Sequence, residues 1–243
     1  MKRSLSMLSM LLAFNISEAQ IKEGVITYER KVNMYRRISD ESQKAMIPEF
    51  NTSKVQLIFS GNESIFKNLP DDEDIRDNAG DNGNRVVIRM GGADNETYKD
   101  YSTEKIIESR ELGPKKYIIE DSLHKQLWKL EDETKTIRGY TCKKASTKIR
   151  DSVTVIAWYS EDIQSLSGPE QYGGLPGAIL ELNINDAEIV FSTIDITTKD
   201  FDKKMVKAPA NGKKITRNEF QKMLDDEFGP NPNGGPVIRI IRN

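Results

Sequence analysis

The sequence predicts a mainly β protein in which one antiparallel sheet system carries a single amphipathic helix near the C-terminus. Short runs of β-branched and aromatic residues alternate at period two, as they do in half-buried strands. Turn signals separate these runs at spacings of roughly ten residues, which is typical of antiparallel β folds. No change in composition divides the chain, so we expect one β-rich domain over residues 20–229.

The expected strands follow from this alternation and from the turns between them. Gly61-Asn62, Gly113-Pro114, Arg150-Asp151 and Asn185-Asp186 are the clearest turn signals. The strands we expect cover residues 25–35, 54–59, 63–66, 85–90, 98–102, 105–111, 116–119, 126–130, 141–149, 153–160, 178–184 and 188–198.

The helix is expected over residues 217–228. Thr216 and Glu219 fit a capping box, in which each side chain bonds the other residue's backbone N–H group. Apolar residues then recur at helical spacing as far as Phe228, and Gly229-Pro230 ends the helix. Residues 230–243 form a Pro/Gly linker and an apolar-basic tail, read as a final edge strand or as a segment that docks on a partner's sheet edge.

The N-terminus has the pattern of a secretory signal peptide over residues 1–19. Lys2 and Arg3 precede a short apolar run, and Ser17-Glu18-Ala19 supplies small residues at the cleavage position. The apolar run is too short to span a bilayer. We therefore expect an exported protein that is periplasmic or associated with the outer membrane.

The composition excludes several classes of site and partner. One His and one Cys do not supply the three or four ligands of a Cys/His zinc site, and one Cys forms no internal disulfide. The formal net charge of −2 argues against a nucleic-acid partner. We expect no metal, no cofactor and no disulfide-linked partner.

The most distinctive motifs lie between residues 136 and 182. Ile137-x-Gly-Tyr-x-Cys142 is followed by the Trp158-Tyr159 pair, by Gly168-Pro169 and by the run Gly174-Leu-Pro-Gly-Ala-Ile179. This order resembles the GLPGLI family of exported proteins from Bacteroidetes-type bacteria. Ala178 departs from that family's pattern, which has Leu at this position.

The resemblance implies an envelope protein without an established activity, from a family whose genes often lie beside TonB-dependent outer-membrane receptors. The same motifs look like those of LolA-type envelope proteins at the level of the fold. That likeness implies a single curved antiparallel sheet, a half-barrel, with the C-terminal helix packed against its apolar concave face.

The Gly-Leu-Pro-Gly run has two interpretations. Pro176 and Gly177 suit the central positions of a type II turn that leads into the strand at Ala178. Alternatively, the run forms a rim loop over a ligand cavity. The candidate ligand-binding residues are Trp128, Tyr140, Trp158, Tyr159, Tyr172, Leu175 and Pro176. The residues assigned to the structural motif are Gly139, Cys142, Gly168, Pro169, Gly174 and Gly177.

Three further features are interpreted as structural or exposed. Cys142 is expected to be buried, with redox use or nucleophilic catalysis as alternatives. His124, the only histidine, follows a turn and is expected at the surface. The acidic segment 71–84 is read as a solvated loop or a weak Ca²⁺ site, because it lacks the ligand spacing of an EF-hand.

Three functions from different classes remain open. The favoured one is an exported non-enzymatic protein that binds a lipid-like or apolar ligand or assists a TonB-dependent outer-membrane transport system. A second is a structural subunit whose C-terminal helix and tail dock on an outer-membrane receptor or another envelope protein. A third is an envelope hydrolase that uses acidic residues, although no paired-carboxylate motif is recognisable.

Overall fold

The computed structural model describes residues 21–38, 40–69, 95–149, 152–199 and 201–228, and the backbone of 78–79, 85–90 and 238–242. The predicted signal peptide and most of the acidic segment 71–84 lie outside the described residues. The last residues of the tail, Ile238–Arg242, form a strand that pairs antiparallel with Arg85–Met90.

The described chain is mainly β, as predicted. Its strands are β1 (Glu23–Asn33), β2 (Phe50–Ser60), β3 (Glu63–Asn68), β4 (Asn78–Ala79), β5 (Arg85–Met90), β6 (Glu96–Asp100), β7 (Lys105–Leu112), β8 (Lys115–Ser122), β9 (Lys129–Ile137), β10 (Tyr140–Ile149), β11 (Val153–Ser160), β12 (Ala178–Ile184), β13 (Ile189–Thr197), β14 (Lys213–Ile215) and β15 (Ile238–Arg242). The helices are α1 (Glu41–Lys44) and α2 (Arg217–Phe228).

Twelve of these strands form one sheet in the order β14-β8-β7-β6-β3-β2-β1-β13-β12-β11-β10-β9. Most neighbours are consecutive in sequence and pair as antiparallel hairpins. The prediction of a purely antiparallel sheet is wrong at one edge, because β14 pairs parallel with β8. A parallel pair needs a long crossover connection, and the chain between β8 and β14 passes through the other half of the sheet. The remaining strands form a small sheet in the order β15-β5-β4.

Three strands differ from the sequence prediction, and one of them is β4, which lies inside the segment 71–84 that was expected to be a loop. The run 126–130 was expected as a strand, but β9 begins only at Lys129 and continues through the charged segment to Ile137. β9 is an edge strand with largely exposed side chains, so apolar alternation does not mark it. β14 was not expected at all, because its three residues are too few to show a period.

The core lies against the central strands of the large sheet. Tyr28 on β1, Phe59 on β2 and Phe191 on β13 are fully buried. Tyr28 donates a hydrogen bond from its hydroxyl to the backbone oxygen of Ile179, 2.6 Å away. A buried tyrosine hydroxyl without a partner would cost free energy, so this bond permits the ring to lie inside the core.

Helix α2 has the predicted limits and the predicted cap. The backbone N–H group of Thr216 donates to Glu219 (2.7 Å), and the backbone N–H group of Glu219 donates to the Thr216 hydroxyl (3.2 Å). The helix contacts β8, where the Phe220 ring lies 5.9 Å from the Tyr117 ring. No helix in the described part of the chain is long and apolar enough to cross a membrane.

An ion-pair cluster fixes the start of α2 to the sheet. Glu108 on β7 is buried and pairs with both Arg110 and Arg217. Arg217 also donates to Asp121 on β8 at 2.9 Å. Two guanidinium groups therefore share one buried carboxylate, a geometry whose desolvation cost requires that all partners remain in place.

Glu108→Ala is expected to lower the free energy of unfolding by ~3 kcal/mol, because it leaves two partly buried guanidinium groups without this partner. Urea denaturation measures the change. Glu120→Ala is the matched control on the neighbouring strand, since Glu120 makes only an exposed pair with Lys105, and its loss should cost less than ~1 kcal/mol. Equal losses in the two variants would contradict the prediction.

Candidate functional site

The segment 161–177, which joins β11 to β12, carries most of the motif residues and is held mainly by its own backbone. Gly168 donates its N–H group to the oxygen of Tyr172 (3.1 Å), and Tyr172 donates back to Pro169 (3.0 Å). Gly174 donates to Leu166 at 2.7 Å. This 161–177 loop folds back on itself and buries Tyr172 and Leu175.

Lys99 on β6 enters this loop from across the sheet. Its side chain is fully buried, and its Nζ donates to the backbone oxygens of Gly168 (2.9 Å) and Tyr172 (2.6 Å). Burial lowers the pKa of Lys99 to about 7, and the negative charges of Glu170 and Glu108 oppose part of that shift. A neutral amine has two N–H groups, and the two carbonyl oxygens accept both of them.

Other side chains fasten the same loop. Trp128 donates from its indole nitrogen to the backbone oxygen of Gly173 (2.9 Å), and Ser64 on β3 shares a 2.6 Å hydrogen bond with Ser167. Tyr101 lies so close to Gly173 that a Cβ atom there would sit 2.1 Å from the tyrosine oxygen. Burial raises the pKa of Tyr101 to about 12. Residues from β3, from the end of β6 and from the segment before β9 thus meet at one loop.

The predicted type II turn at Pro176-Gly177 is wrong, because Gly177 does not have a positive φ angle. The N–H group of Gly177 bonds the oxygen of Leu175 at 2.8 Å, which is a three-residue turn centred on Pro176. Glycine is required at 177 for another reason, since a Cβ atom would lie 2.1 Å from the backbone oxygen of Ser160. Within the Gly-Leu-Pro-Gly run, the residue with a left-handed conformation is Gly174, with φ of 82°.

The candidate ligand-binding residues differ in how deeply they are buried. Tyr159, Tyr172 and Leu175 are buried in the core cluster. Trp128, Tyr140 and Trp158 are partly buried against that cluster, and Pro176 is exposed. Tyr172 therefore lies in the core.

The residues assigned to the structural motif have separate local roles. Gly139 has a φ of 86° in the β9–β10 turn, and Gly168 packs against the Ile179 side chain, where a Cβ atom would come within 2.6 Å. Pro169 is buried in the 161–177 loop. Cys142 is fully buried, and burial raises the pKa of its thiol to about 11, which disfavours the reactive thiolate.

A different group of residues forms a polar surface on the outer side of the sheet. Trp158 on β11 lies in register between Lys144 on β10 and Glu181 on β12, and directly opposed residues share a face. Strand β9 adds three charged residues, and their ion pairs with Lys144 and Glu181 place them on this side of the sheet, although the pairing of β9 with β10 is irregular here. We call this group the Trp158 surface; its members are Glu131, Glu133, Lys135, Lys144, Trp158 and Glu181.

Ion pairs hold the members of the Trp158 surface together. Lys135 places its Nζ 4.3 Å from the centre of the Trp158 ring and 2.7 Å from Glu181. Lys144 pairs with Glu133 at 2.7 Å and with Glu131 at 3.2 Å. Hydrogen bonds from Ser146 and Lys144 lower the pKa of Glu131, and the bond to Glu133 raises that of Lys144, so these groups stay ionised.

This arrangement presents a partly exposed indole among three carboxylates and two ammonium groups. An aromatic face next to hydrogen-bonding groups suits a ligand with both C–H surface and hydroxyls. The sequence motifs include Trp158 but not its charged neighbours. A signal for these neighbours is present in the spacing of Glu131, Glu133 and Lys135, each two residues apart on an edge strand.

The described residues contain no group of three or more His, Cys, Asp or Glu side chains arranged to hold a metal ion. His124 is exposed, in the segment between β8 and β9.

The stability of the protein is expected to rise with pH between 7 and 9 because of Lys99. The pKa of Lys99 is lowered in the folded state, so the unfolded chain binds more protons than the folded chain in this window. The free energy of unfolding therefore increases as the pH rises. The slope should be about 1 kcal/mol per pH unit, and it should fall toward zero as the pH drops below 7 and Lys99 becomes protonated in the folded state as well. Urea denaturation of the wild type and of Lys99→Met at several pH values isolates this contribution, and parallel pH profiles would refute it.

Two alanine substitutions are expected to separate steric overlap from backbone strain in the 161–177 loop. In Gly174→Ala the added Cβ atom lies in open space, so only the strain of the positive φ angle lowers the free energy of unfolding, by ~1 kcal/mol. Gly177→Ala places Cβ against the backbone oxygen of Ser160, and should cost ~3 kcal/mol. Thermal and urea unfolding give both values; a smaller loss for Gly177→Ala than for Gly174→Ala would contradict the geometry.

Comparisons with known proteins identify the family and the fold. A sequence profile described as "N-glycanase peptide, N-terminal domain" matches residues 94–222, which is more than half of the chain. Two solved structures of PNGF-II, in the P21 and C2 space groups, share the fold with TM-scores of 0.56 and 0.57 at 18% identity. Each match covers 86% of this chain and 34% of PNGF-II, so the chain spans about a third of that protein's length. A comparison with curated protein sequences finds no match.

These findings correct three expectations. The assignment to the GLPGLI family is wrong, because the profile that matches belongs to an N-glycanase domain. The link to TonB-dependent transport rested on that assignment and falls with it. The expectation of a non-enzymatic protein is also wrong, since the matching profile is that of an N-glycanase domain.

The physical reason for the error is visible in the structural roles of the motif residues. The motif residues Gly139, Cys142, Gly168 and Gly177 serve backbone geometry and core packing, and such requirements follow the fold and do not identify a function. The chain belongs to the family of the N-glycanase peptide, N-terminal domain.

Proposed function

We propose that this chain is the substrate-engaging part of an N-glycan-releasing enzyme, and that the Trp158 surface contacts the oligosaccharide of the glycoprotein. The family assignment and the shared fold with a third of PNGF-II support a role within such an enzyme. The observation that carries the proposal is the partly exposed Trp158 ring among ionised side chains on one face of the sheet.

Sugar rings match this surface chemically. One side of a pyranose ring presents C–H groups, which pack on an aromatic face, while the hydroxyls at its rim donate to carboxylates and accept from ammonium groups. Glu181 and Lys135 lie beside the indole and offer both kinds of partner. A bound sugar would exchange contacts with Lys135, whose Nζ already lies over the ring.

The pairing of charges favours a neutral ligand. Lys135 is paired with Glu181, and Lys144 is paired with two carboxylates. No cation of the Trp158 surface is left without a carboxylate neighbour, so the surface has little attraction for phosphate groups, which favour unpaired Arg and Lys. A neutral oligosaccharide therefore suits it better than an anionic one.

Three of the described carboxyl groups are poor candidates for a general acid. A general acid needs a raised pKa, whereas hydrogen bonds from Ser102 and Thr103 lower the pKa of Asp100 to about 2, and Arg217 lowers that of Asp121. Glu108 is buried between two arginines. Hydrolysis by acidic residues of this chain thus has less support than substrate engagement.

Three earlier expectations stay predictions. Export agrees with the family assignment, but a location in the periplasm or at the outer membrane is a proposal from the sequence of residues 1–19. The hypothesis that the protein binds an apolar ligand has less support, because Tyr159, Tyr172 and Leu175 pack in the core. The half-barrel shape is a proposal that agrees with an open sheet of twelve strands.

Trp158→Ala is expected to weaken binding of a free high-mannose N-glycan at least tenfold, because it removes the only aromatic face of the Trp158 surface. Isothermal titration calorimetry with the isolated oligosaccharide measures the affinity. The same oligosaccharide should bind the wild type with no requirement for a metal ion.

Phe50→Ala is the matched control for this experiment. Phe50 lies under Lys31, whose Nζ is 4.1 Å from its ring centre, so the control removes a similar cation–aromatic pair elsewhere on the protein. It should leave glycan affinity unchanged. A wild type that binds no better than Trp158→Ala, or equal losses in both variants, would defeat the proposed function.

A further inference from the structure

Strand β9 has one open edge. It is the last strand of the twelve-stranded order and pairs only with β10 within the part of the chain that the structure describes. Among the described residues, no strand pairs with the backbone N–H and C=O groups along its other edge, and an unpaired strand edge is a template for an extended chain. Recognition by strand addition uses such an edge, with main-chain hydrogen bonds supplying affinity.

The open edge is continuous with the Trp158 surface. Glu131, Glu133 and Lys135 project to the face of β9 that carries this surface, where they contact Lys144 and Trp158. They stand perpendicular to the plane of the sheet, and their ion pairs turn them toward β10–β12. They therefore leave the edge itself uncovered.

The opposite face of the edge is apolar. Leu130 is opposed by the buried Ala145 and so continues the core face to the end of the sheet, where it is 59% exposed. Leu127, just before β9, is 87% exposed. A strand added here would cover Leu130 with one set of its side chains and would direct the alternate set to the Trp158 surface.

Distances along the sheet fit a glycan attached to such a strand. Neighbouring strands lie ~4.8 Å apart, so a strand added to β9 would run ~14 Å from β11, three spacings away. An oligosaccharide linked to an asparagine of the added strand, on the face of Lys135, spans this distance to Trp158 within a few sugar units.

We propose that the open edge of β9 takes up the peptide of the glycoprotein substrate as an added strand, and that its N-linked oligosaccharide lies across the Trp158 surface. This inference rests on the proposed function, because it names the part of the substrate that accompanies the sugar. The substrate class is an extended or unfolded glycopeptide and not a folded glycoprotein.

The experiment compares four probes on the whole chain by calorimetry. The first two are a free high-mannose N-glycan and a glycopeptide of about nine residues that carries this glycan on its central asparagine. The other two are versions of the glycopeptide in which every second backbone amide is N-methylated, the odd-numbered amides in one version and the even-numbered amides in the other. Only alternate amides of a strand point to one neighbour. The unmodified glycopeptide should bind at least tenfold more tightly than the free glycan, and one N-methylated phase should lose this gain while the other keeps it.

The outcomes separate the two proposals. If both N-methylated phases bind like the unmodified glycopeptide, or if the glycopeptide binds no better than the free glycan, strand addition is wrong while glycan binding stands. If the free glycan binds the wild type and Trp158→Ala with equal affinity, the proposed function itself is wrong. Amide hydrogen exchange gives an independent readout, since amides of β9 should slow with the glycopeptide and stay unchanged with the free glycan.

Discussion

The architecture depends on the amine of Lys99 inside the 161–177 loop. A loop of this length carries many backbone polar groups, and burying them requires partners. Lys99 brings two N–H groups to the oxygens of Gly168 and Tyr172 from a strand far away in the sequence. Burial of the amine disfavours its charged form, which lowers its pKa and costs free energy. The two hydrogen bonds connect β6 to the loop between β11 and β12.

The position of the 161–177 loop also determines the positions of the residues of the Trp158 surface. The loop determines where β12 begins, and β12 places Glu181 beside Trp158. Trp128 bonds the same loop just before β9 begins, so the position of the edge strand is set as well. The Trp158 surface is thus built from β9, β10, β11 and β12. The 161–177 loop holds these strands in position, although no side chain of the loop belongs to the Trp158 surface.

The glycines of the loop explain why motif resemblance named the wrong family. Gly173 and Gly177 are required because Tyr101 and Ser160 approach their backbones closely. Any sequence that builds this connection meets the same requirement, whatever the protein does. The residues that bear on function are charged side chains of an edge strand, where no packing constraint produces a recognisable motif.

The sequence by itself determined the β class, most strand positions and the capping-box helix, because alternation and capping are local consequences of backbone geometry. It did not locate β9 or β14, whose side chains are largely exposed or too few to show a period. Only the tertiary structure decided that Lys99 is buried, that Tyr172 lies in the core, and that Trp158 meets Lys135 and Glu181. Each of these depends on which distant strands become neighbours, and strand order is set by the closure of the whole core, which no local pattern in the chain encodes.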